Sequence, residues 1–600
     1  MLVSPPIYLS MVRLIACLVS DRIELTMLQK KKGLVSEAGL ERLAERNGLE
    51  SLKEDHMGAG GHKMKTLVIA GSSTQIDIVL DNDIVQGVTL AFPGLSQPTS
   101  KLMEPASQIL LQDLKLRPYQ SPLTKTLDNF AANLERLACL DQLSIIEAGF
   151  ICHEALTGMY TSLERIHQWD MARLREQTSM SGRSDDYLTL MAMCKRNGLP
   201  VMHAHGRIGL ALQYWKEKRF VPPSSKRARD LVEKHEKVWS LAIECKPMDH
   251  HIMMPPVRVS DSWISEKVVK DDGMGTDPDN LPLDWQEPEQ ISLPAPEEGK
   301  ADKAMEMLQP DLSSKRVPPV KFTVTFDPPV VLTHPDYMRL HNTIELEPQM
   351  PMMFPPPTFD VMHFPIPPGA PHNASELRTI QRHRQVPVYD TDGQPSEITH
   401  RNTLFNYKRI YATSVTELSF SHPKQLIAML PILRQYAFLT VLLQNSFGPG
   451  TEDAPSTSSS TSEKPTKVQM AAETVTVNDE LSAFMMGQNG DGKENGMAQG
   501  NGSVGTSNVV NMDVSVWVHP NLHLKVVFPF RTSTANIEMH ILENGAVDII
   551  NENILQAEAD GPSETGEGKG RKLTRADLAE VLERLEDLCK WAEWIRTRLS

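Results

Sequence analysis

Histidines and glycines are the first residues to test for chemistry, because both occur in short catalytic and binding motifs. His203 and His205 flank one alanine, and His250 adjoins His251, but neither pair has Cys or carboxylate partners at metal-ligand spacing. We interpret them as surface or core histidines rather than as a metal site. A catalytic site assembled from distant residues would leave no local motif and stays open as an alternative.

Phosphate-binding and nucleophile motifs are missing from the sequence. It contains neither G-x-x-x-x-G-K-[ST], which holds phosphate, nor G-x-S-x-G, which exposes a nucleophilic serine. The glycines of "MGAGGHK" lack the following Ser or Thr, and those of "GQNGDGKENG" lie in a polar stretch without apolar periodicity. We therefore predict a chain without catalytic, cofactor-binding or metal-binding residues, which is not an enzyme.

Two short motifs could instead bind partners. "LTVLL", residues 439–443, fits the L-x-x-L-L pattern of helices that dock into apolar grooves. Its surroundings are apolar on several faces, so we favour a buried core helix. "SSKRARD", residues 224–230, is either a nuclear-localisation patch or a solvated loop.

Composition and charge narrow the class of protein. The chain has 600 residues, 40% of them hydrophobic, so several folded units can each bury a core. Its net charge of −15 argues against tight nucleic-acid binding, because phosphate contacts need clustered Lys and Arg. The six cysteines are scattered without a C-x-x-C pair, which is typical of reduced thiols in a nuclear or cytosolic protein. We expect the partners to be proteins.

The N-terminal half is predicted to combine a meander with helices. Residues 1–32 contain an apolar run, interrupted by Arg13, that is too short to span a membrane, so this segment stays unassigned. Residues 33–115 are predicted to form a small α/β unit, since "TLVIAGSSTQIDIVLDNDIVQGVTLAF" indicates a β-meander. Residues 36–52 predict a short helix, a break at a glycine and another apolar turn, which is the pattern of half a helix-turn-helix motif. A free-standing DNA-binding regulator is therefore the alternative function.

Residues 116–245 are predicted to be a helical region with an antiparallel hairpin. An apolar stripe with heptad spacing is a candidate interaction or packing seam: Leu123, Leu127, Phe130, Leu134 and Leu137. The next segment carries a second stripe: Leu156, Met159, Leu163, Ile166 and Trp169. About ten residues join the two helices, so we expect these stripes to pack against each other.

Prolines concentrate in the next predicted region, residues 246–420. Nineteen of the 43 prolines lie between Leu281 and Pro371, where we expect extended chain against an apolar surface and no persistent helix. "VKFTVTFDPPVVL" predicts a strand there. Helix returns over residues 421–448, in which Pro431 predicts a kink or a boundary between two helices.

The C-terminal part begins with a predicted disordered linker, residues 449–511, which is rich in Ser, Thr, Gly and Asn. Residues 512–600 are predicted to form a β-meander, with a hairpin at Asn544 and Gly545, and one long amphipathic helix. Thr574 can cap that helix, but a full capping box is not predicted. The stripe of this helix is a second candidate seam: Leu578, Val581, Leu585, Leu588 and Ile595.

The predicted fold class is α+β and multi-domain, with β-meanders, amphipathic helical hairpins, a Pro-rich extended segment and an internal disordered linker. Eight segments in order resemble the fungal form of subunit 1 of the Mediator complex of RNA polymerase II transcription: "TLVIAGSS", "QSPLTKTLDNFAANLERLA", "YWKEKR", "DSWIS", "LDWQEP", "SHPKQLIAMLPILRQYAFLTVLLQNSFG", "VVFPFRTSTANIEM" and "ADLAEVLERLEDLCKWAEWIRTRL". The resemblance extends from about Gly33 to the end of the chain.

The resemblance implies a non-enzymatic scaffold and coactivator subunit of the Mediator middle module, located in the nucleus. Such a subunit links gene-specific activators to RNA polymerase II. The implied partners are other Mediator subunits and transcription activators, with the polymerase reached indirectly. Neither a cofactor, nor a membrane, nor direct tight binding to nucleic acid is expected.

Overall fold

The structure of the chain is a computed structural model. It describes residues 32–57, 63–81, 84–92, 97–117, 119–120, 124–144, 150–220, 237–248, 257–270, 281–289, 318–346, 348, 356–367, 376–389, 395–448, 509–518, 521–555 and 573–599. The predicted apolar N-terminal run, the "SSKRARD" patch, His250, His251 and Leu123 lie outside these ranges.

The N-terminal unit is a four-stranded antiparallel meander with helices packed on it. Its elements are α1 (Glu37–Arg46), β1 (Glu50–Met57), β2 (Lys63–Ala70), β3 (Gln75–Asp81), β4 (Ile84–Ala91), α2 (Gln97–Leu114) and α3 (Asp128–Leu143). The strands pair in chain order, which confirms the predicted meander. Apolar residues of the sheet and of all three helices share one core.

Residues 50–57 correct the helix-turn-helix interpretation. Ser36 caps α1 by accepting a hydrogen bond from the backbone N–H of Gly39, but no second helix follows. Gly48 has a φ of +72°, a left-handed conformation that ends a helix and redirects the chain. The next residues then pair along β2, which satisfies the backbone groups that a helix would satisfy internally.

The predicted packing of the two stripes against each other is wrong. Helix α3 buries Phe130 and Leu134 in the core of the meander, whereas α4 (Cys152–Glu176) buries Leu156 and Met159 in the core of the second sheet. The two helices are adjacent, but their stripes face different sheets. A sheet offers a broader apolar face than a neighbouring helix, so each stripe buries more surface this way.

The second sheet contains five antiparallel strands in the order β13-β10-β7-β6-β5. The elements of this part are α5 (Asp185–Lys195), β5 (Leu199–Ala204), β6 (Arg207–Lys216), β7 (Val238–Pro247), β8 (Ile264–Val269), β9 (Leu283–Trp285), β10 (Val320–Thr333), α6 (His334–Thr343), α7 (Phe359–His363) and, farther along the chain, β13 (Ala412–Phe420). Strands β8 and β9 form a separate pair. Strand β10 confirms the strand predicted within the Pro-rich region.

Two predictions for these regions are wrong. Residues 199–204, 207–216 and 238–247 are strands rather than part of a helical region. Alternate side chains along much of β6 enter the core, as strand geometry requires. Helix α6 interrupts the Pro-rich region because Pro335 occupies its first turn, where a backbone donor is not needed.

The third sheet has six strands in the order β11-β12-β14-β15-β16-β17. Its elements are β11 (Thr379–Tyr389), β12 (Pro395–Phe405), α8 (Pro423–Phe447), β14 (Val509–Trp517), β15 (His523–Phe530), β16 (Ser533–Ile541), β17 (Val547–Glu552), α9 (Arg575–Leu585) and α10 (Leu588–Leu599). Strands β12 and β14 are parallel neighbours although the predicted linker separates them in sequence. The asparagine and glycine between β16 and β17 confirm the predicted hairpin. These sheets and helices confirm the α+β, multi-domain fold class.

Helix α8 is one continuous element, so the predicted helix boundary at Pro431 is wrong. The side chains of Leu439, Leu442 and Leu443 are fully buried, which confirms a core helix rather than an exposed L-x-x-L-L motif. Within the described part of the chain, α8 alone has the length and apolar composition of a membrane span, and most of it is enclosed by the protein's own core.

The predicted C-terminal helix is divided in two. Glu586 has a φ of +50° and ends α9, and the Asp587 carboxylate accepts hydrogen bonds from the backbone N–H groups of Cys589 and Lys590 at the start of α10. Strand β14 begins at Val509, so the predicted linker boundary at residue 511 is three residues too late. The remainder of that linker lies outside the described residues.

The start of α9 corrects the capping prediction. Thr574 accepts a hydrogen bond from the backbone N–H of Asp577, and the Asp577 carboxylate accepts one in return from the backbone N–H of Thr574. The aspartate is therefore long enough to complete a capping box.

Candidate interaction surface

The predicted seam residues that the structure describes lie in the protein's own core. Leu127 at the N-cap of α3, and Phe130, Leu134 and Leu137 within it, are buried beneath the meander. In the C-terminal helices, three residues are fully buried and two are partly buried against the same core: Leu578, Leu588, Ile595, Val581 and Leu585. These residues position the sheets, so a surface for partners must be sought elsewhere.

A buried arginine joins four elements of the core. The Arg434 guanidinium on α8 donates hydrogen bonds to the carbonyl oxygens of Tyr214, Met193 and Arg196 and to Oδ1 of Asn544, with distances of 3.2 Å to Tyr214 and 2.8 Å to Asn544. Burial lowers the pKa of Arg434 to about 10, so the group remains cationic near neutral pH. It fixes α8 to α5, to β6 and to the β16–β17 hairpin.

A second buried arginine attaches the C-terminal helices to the central sheet. The Arg219 guanidinium lies 3.8 Å from the centroid of the Trp215 ring and donates a hydrogen bond of 3.0 Å to the carbonyl oxygen of Gly545. The Glu586 carboxylate lies 3.8 Å away and accepts a hydrogen bond from the backbone N–H of Lys218. The left-handed residue between α9 and α10 therefore faces a buried charge.

A buried carboxylate fixes α3 to the meander. Asp141 accepts four hydrogen bonds, from the backbone N–H groups and the hydroxyls of Ser72 and Ser73, at 2.6–3.0 Å. Burial by itself raises the pKa of Asp141, but these hydrogen bonds outweigh burial, and the pKa lies below its ordinary value. Gly71 is required beside it, because a Cβ there would lie 2.4 Å from the carboxylate.

Replacement of this carboxylate should destabilise the protein in a pH-dependent way. We expect Asp141→Asn to cost about 1–3 kcal/mol at pH 7, because an amide group turns a donor toward the Ser72 and Ser73 donors. The native pKa is depressed, so the carboxylate's contribution is complete above the unfolded-state pKa near 3.9 and disappears as the pH falls through the lower native value. Urea unfolding at several pH values measures this, with exposed Asp55→Asn as the control. An equal difference at every pH would contradict the hydrogen-bonding role.

The histidines with suggestive spacing lie at the turn between β5 and β6. His203 is buried, and its Nδ1 accepts a hydrogen bond of 3.2 Å from the backbone N–H of Gly209, while Nε2 of His205 lies 2.7 Å from the Gln213 amide. Burial lowers the pKa of His203 to about 4 and that of stacked His153 to about 3. Both rings are therefore neutral near pH 7, and the described residues contain no cluster of three His, Cys, Asp or Glu that could hold a metal ion.

Aromatic and histidine rings form a continuous row on the outer face of the third sheet. The five residues of this aromatic row are Phe405, Tyr407, Trp517, His523 and His540. Successive ring centroids are 5.0–5.5 Å apart, and the second and third rings are nearly parallel. The strand residues of the row alternate with core residues, so their rings lie on the face opposite the helices.

A basic turn continues the aromatic row. Residues 406–411, "NYKRIY", connect β12 to β13 and expose Tyr407 to 58% and Tyr411 to 39%. Lys408 and Arg409 are exposed and form no ion pair with any described residue. This turn therefore presents phenol rings beside two positive charges.

A cavity of about 210 Å³ opens beside the basic turn. Its apolar lining comes from Pro356, Pro357, Val361, Leu377 and Tyr411, and Leu377 is 50% exposed. Together, the aromatic row, the basic turn and this cavity form what we call the aromatic-basic surface. Sequence reasoning missed this surface, although "NYKRIY" is a cluster of Tyr and cationic residues that could have indicated it.

The structure thus has sheets joined by buried polar contacts and, on its surface, an aromatic row, a basic turn and a cavity. The chain matches the family described as Mediator of RNA polymerase II transcription subunit 1 over residues 24–448. It therefore belongs to the Mediator subunit 1 family, which confirms the resemblance inferred from the sequence. A search of curated proteins gave no match.

Family membership gives the chain a role in transcription and its regulation, as a coactivator subunit of the Mediator complex, and makes other Mediator subunits its partners. The matched residues end with α8. The four strands and two helices that follow complete the third sheet and its core, so the folded body extends beyond the matched segment.

Proposed function

We propose that this chain is a non-enzymatic scaffold subunit of the Mediator middle module that acts in the nucleus. In this role it links gene-specific activators to RNA polymerase II through the other Mediator subunits. The observation that carries the proposal is the family match over residues 24–448. The core contacts of the C-terminal region support it, because a body in which distant segments are joined by buried polar groups can hold several partners in fixed positions.

Affinity purification of the tagged full-length chain from nuclear extract, followed by mass spectrometry, tests the proposal. We expect the other subunits of the complex, with the middle-module subunits retained at the highest salt concentration. Cross-linking of the purified assembly then identifies the neighbouring subunits. A chain that purifies alone, or that is retained with a different module after the assembly is divided by salt, would contradict the proposed placement.

The net charge of −15 leads to a further expectation for the isolated protein. We expect no sub-micromolar binding to random duplex DNA at 150 mM salt, because binding to phosphates requires clustered cations and weakens as salt rises. Fluorescence anisotropy with a labelled duplex measures this. Tight binding would favour the alternative of a DNA-binding regulator, although residues 50–57 form a strand rather than a recognition helix.

A further inference from the structure

The aromatic-basic surface combines two chemistries that one partner can satisfy. The row of rings offers an apolar strip, and Tyr407 is its most exposed member. Lys408 and Arg409 lie in the same turn and leave their charges unpaired among the described residues. A partner that binds both features must carry apolar side chains and negative charges close together.

The cavity provides a place for an apolar anchor. An apolar cavity of about 150 Å³ is large enough to accept a benzene ring. The cavity of about 210 Å³ beside Tyr411 and Leu377 is larger, and it is lined by two prolines that present rigid apolar surface. A Phe or Leu side chain of a partner therefore fits there, as anchors do in peptide-binding grooves.

The charges around the cavity favour an anionic partner. Three cations and two carboxylates line it, and Asp360 already lies 4.0 Å from Arg378. The two positive charges of Lys408 and Arg409 outnumber the single negative charge of the one remaining carboxylate, that of Glu376. This local excess of positive charge stands out in a chain whose net charge is −15. It provides charge complementarity for Asp and Glu side chains.

We propose that the aromatic-basic surface binds an acidic segment of a partner protein, in which Phe or Leu side chains alternate with Asp or Glu. The apolar side chains occupy the cavity and the aromatic row, and the carboxylates pair with Lys408 and Arg409. Disordered activator segments have this acidic and hydrophobic composition. The inference rests on the proposed function, because it assigns a site to the activators that the subunit is proposed to serve.

Single-stranded nucleic acid is the other class of partner that exposed rings could bind by base stacking. Three carboxylates disfavour it. Asp513 and Asp548 are exposed on the outer face, and Glu538 there already pairs with Lys525 at 3.0 Å. A phosphate backbone along the aromatic row would place a negative charge at every nucleotide beside these carboxylates. An extended acidic peptide can instead turn its Phe and Leu side chains toward the row and its carboxylates away from it, because alternate side chains point to opposite faces.

Binding of a fluorescein-labelled peptide, DFDLDFDLDFDL, to the full-length chain tests the proposal by anisotropy. We expect the double variant Lys408→Glu, Arg409→Glu to weaken binding at least about tenfold, and Tyr407→Ala to weaken it about fivefold. Matched controls are Lys115→Glu with Arg117→Glu, and exposed Tyr119→Ala, which should bind like the wild type. The peptide NFNLNFNLNFNL, without charge, should bind at least about tenfold more weakly.

Co-purification of each variant with other Mediator subunits is measured in parallel. Normal co-purification with lost peptide binding supports the proposed surface. A wild-type chain that assembles but binds both peptides equally would overturn this inference and leave the proposed function intact. Loss of assembly in the double variant would show that a Mediator subunit covers the surface, which overturns the proposal. Tighter binding of a 12-nucleotide single-stranded RNA, lost in the same variants, would also overturn it.

Discussion

Leu134→Asp is expected to destabilise the isolated protein by about 4 kcal/mol or more and to lower its melting temperature before any partner is added. Leu134 is fully buried between α3 and the meander, so the substitution removes its apolar contacts and places a carboxylate in a dry core. We expect residues 33–144 to become sensitive to proteases first, since they share this core. Thermal unfolding and limited proteolysis measure both effects.

Asn129→Asp is the matched control, because Asn129 is exposed on the same helix and the substitution introduces the same charge. It should melt like the wild type. The result that would contradict this assignment is a Leu134→Asp protein that melts normally in isolation but fails to join Mediator. That outcome would mean that the seam packs against a partner rather than against the meander.

Local patterns predicted the elements whose structure depends on nearby residues. The meander, strand β10 and the turn at Asn544 and Gly545 are confirmed because alternation and turn chemistry act within a few residues. The apolar stripes of α3 and α4 were also present in the sequence. Their packing partners were assigned wrongly, because periodicity identifies a buried face without identifying what covers it.

Contacts between distant residues account for most of what could not be predicted. No local pattern indicates that Arg434 is buried, and its burial depends on four acceptors that three separate parts of the chain bring to its guanidinium. The aromatic row likewise depends on the parallel pairing of β12 with β14, which brings Phe405 near Trp517 across the predicted linker. Neither arrangement leaves a local signal, so the candidate surface required the structure.

We expect a chain that ends at Gly448 to lose cooperative unfolding, because the pairing of β12 with β14 makes the third sheet depend on the C-terminal region. This truncation removes four of the six strands of the third sheet and both C-terminal helices. It also removes two acceptors of buried groups on α8, since Gln435 donates a hydrogen bond of 2.6 Å to the carbonyl oxygen of Ile541 and Arg434 donates one to Asn544. Unsatisfied donors and an uncovered apolar helix should cause aggregation.

Removal of residues 449–508 should have the opposite result, because their composition, rich in Ser, Thr, Gly and Asn, does not predict a packed core. The two ends of the deleted segment lie beside the same strand, β12. Asn402 on this strand donates a hydrogen bond to the carbonyl oxygen of Ser446, and Val509 pairs with Thr399, three residues before Asn402. This spacing is about 10 Å, so a bridge of about ten Gly and Ser residues should join the two ends without strain. We expect the shortened chain to melt nearly like the wild type and to enter Mediator.

Co-expression of residues 1–448 and 509–600 as two chains distinguishes the effect of the truncation from that of the internal deletion. If the third sheet needs its C-terminal strands, the two fragments should purify as one complex and unfold together, whereas residues 1–448 alone should aggregate. A fragment 1–448 that unfolds cooperatively at the wild-type temperature would contradict the requirement. Normal melting of the shortened chain combined with lost assembly would instead assign a docking role to the apolar island "LSAFMM" inside the deleted segment, since disordered segments can fold on binding.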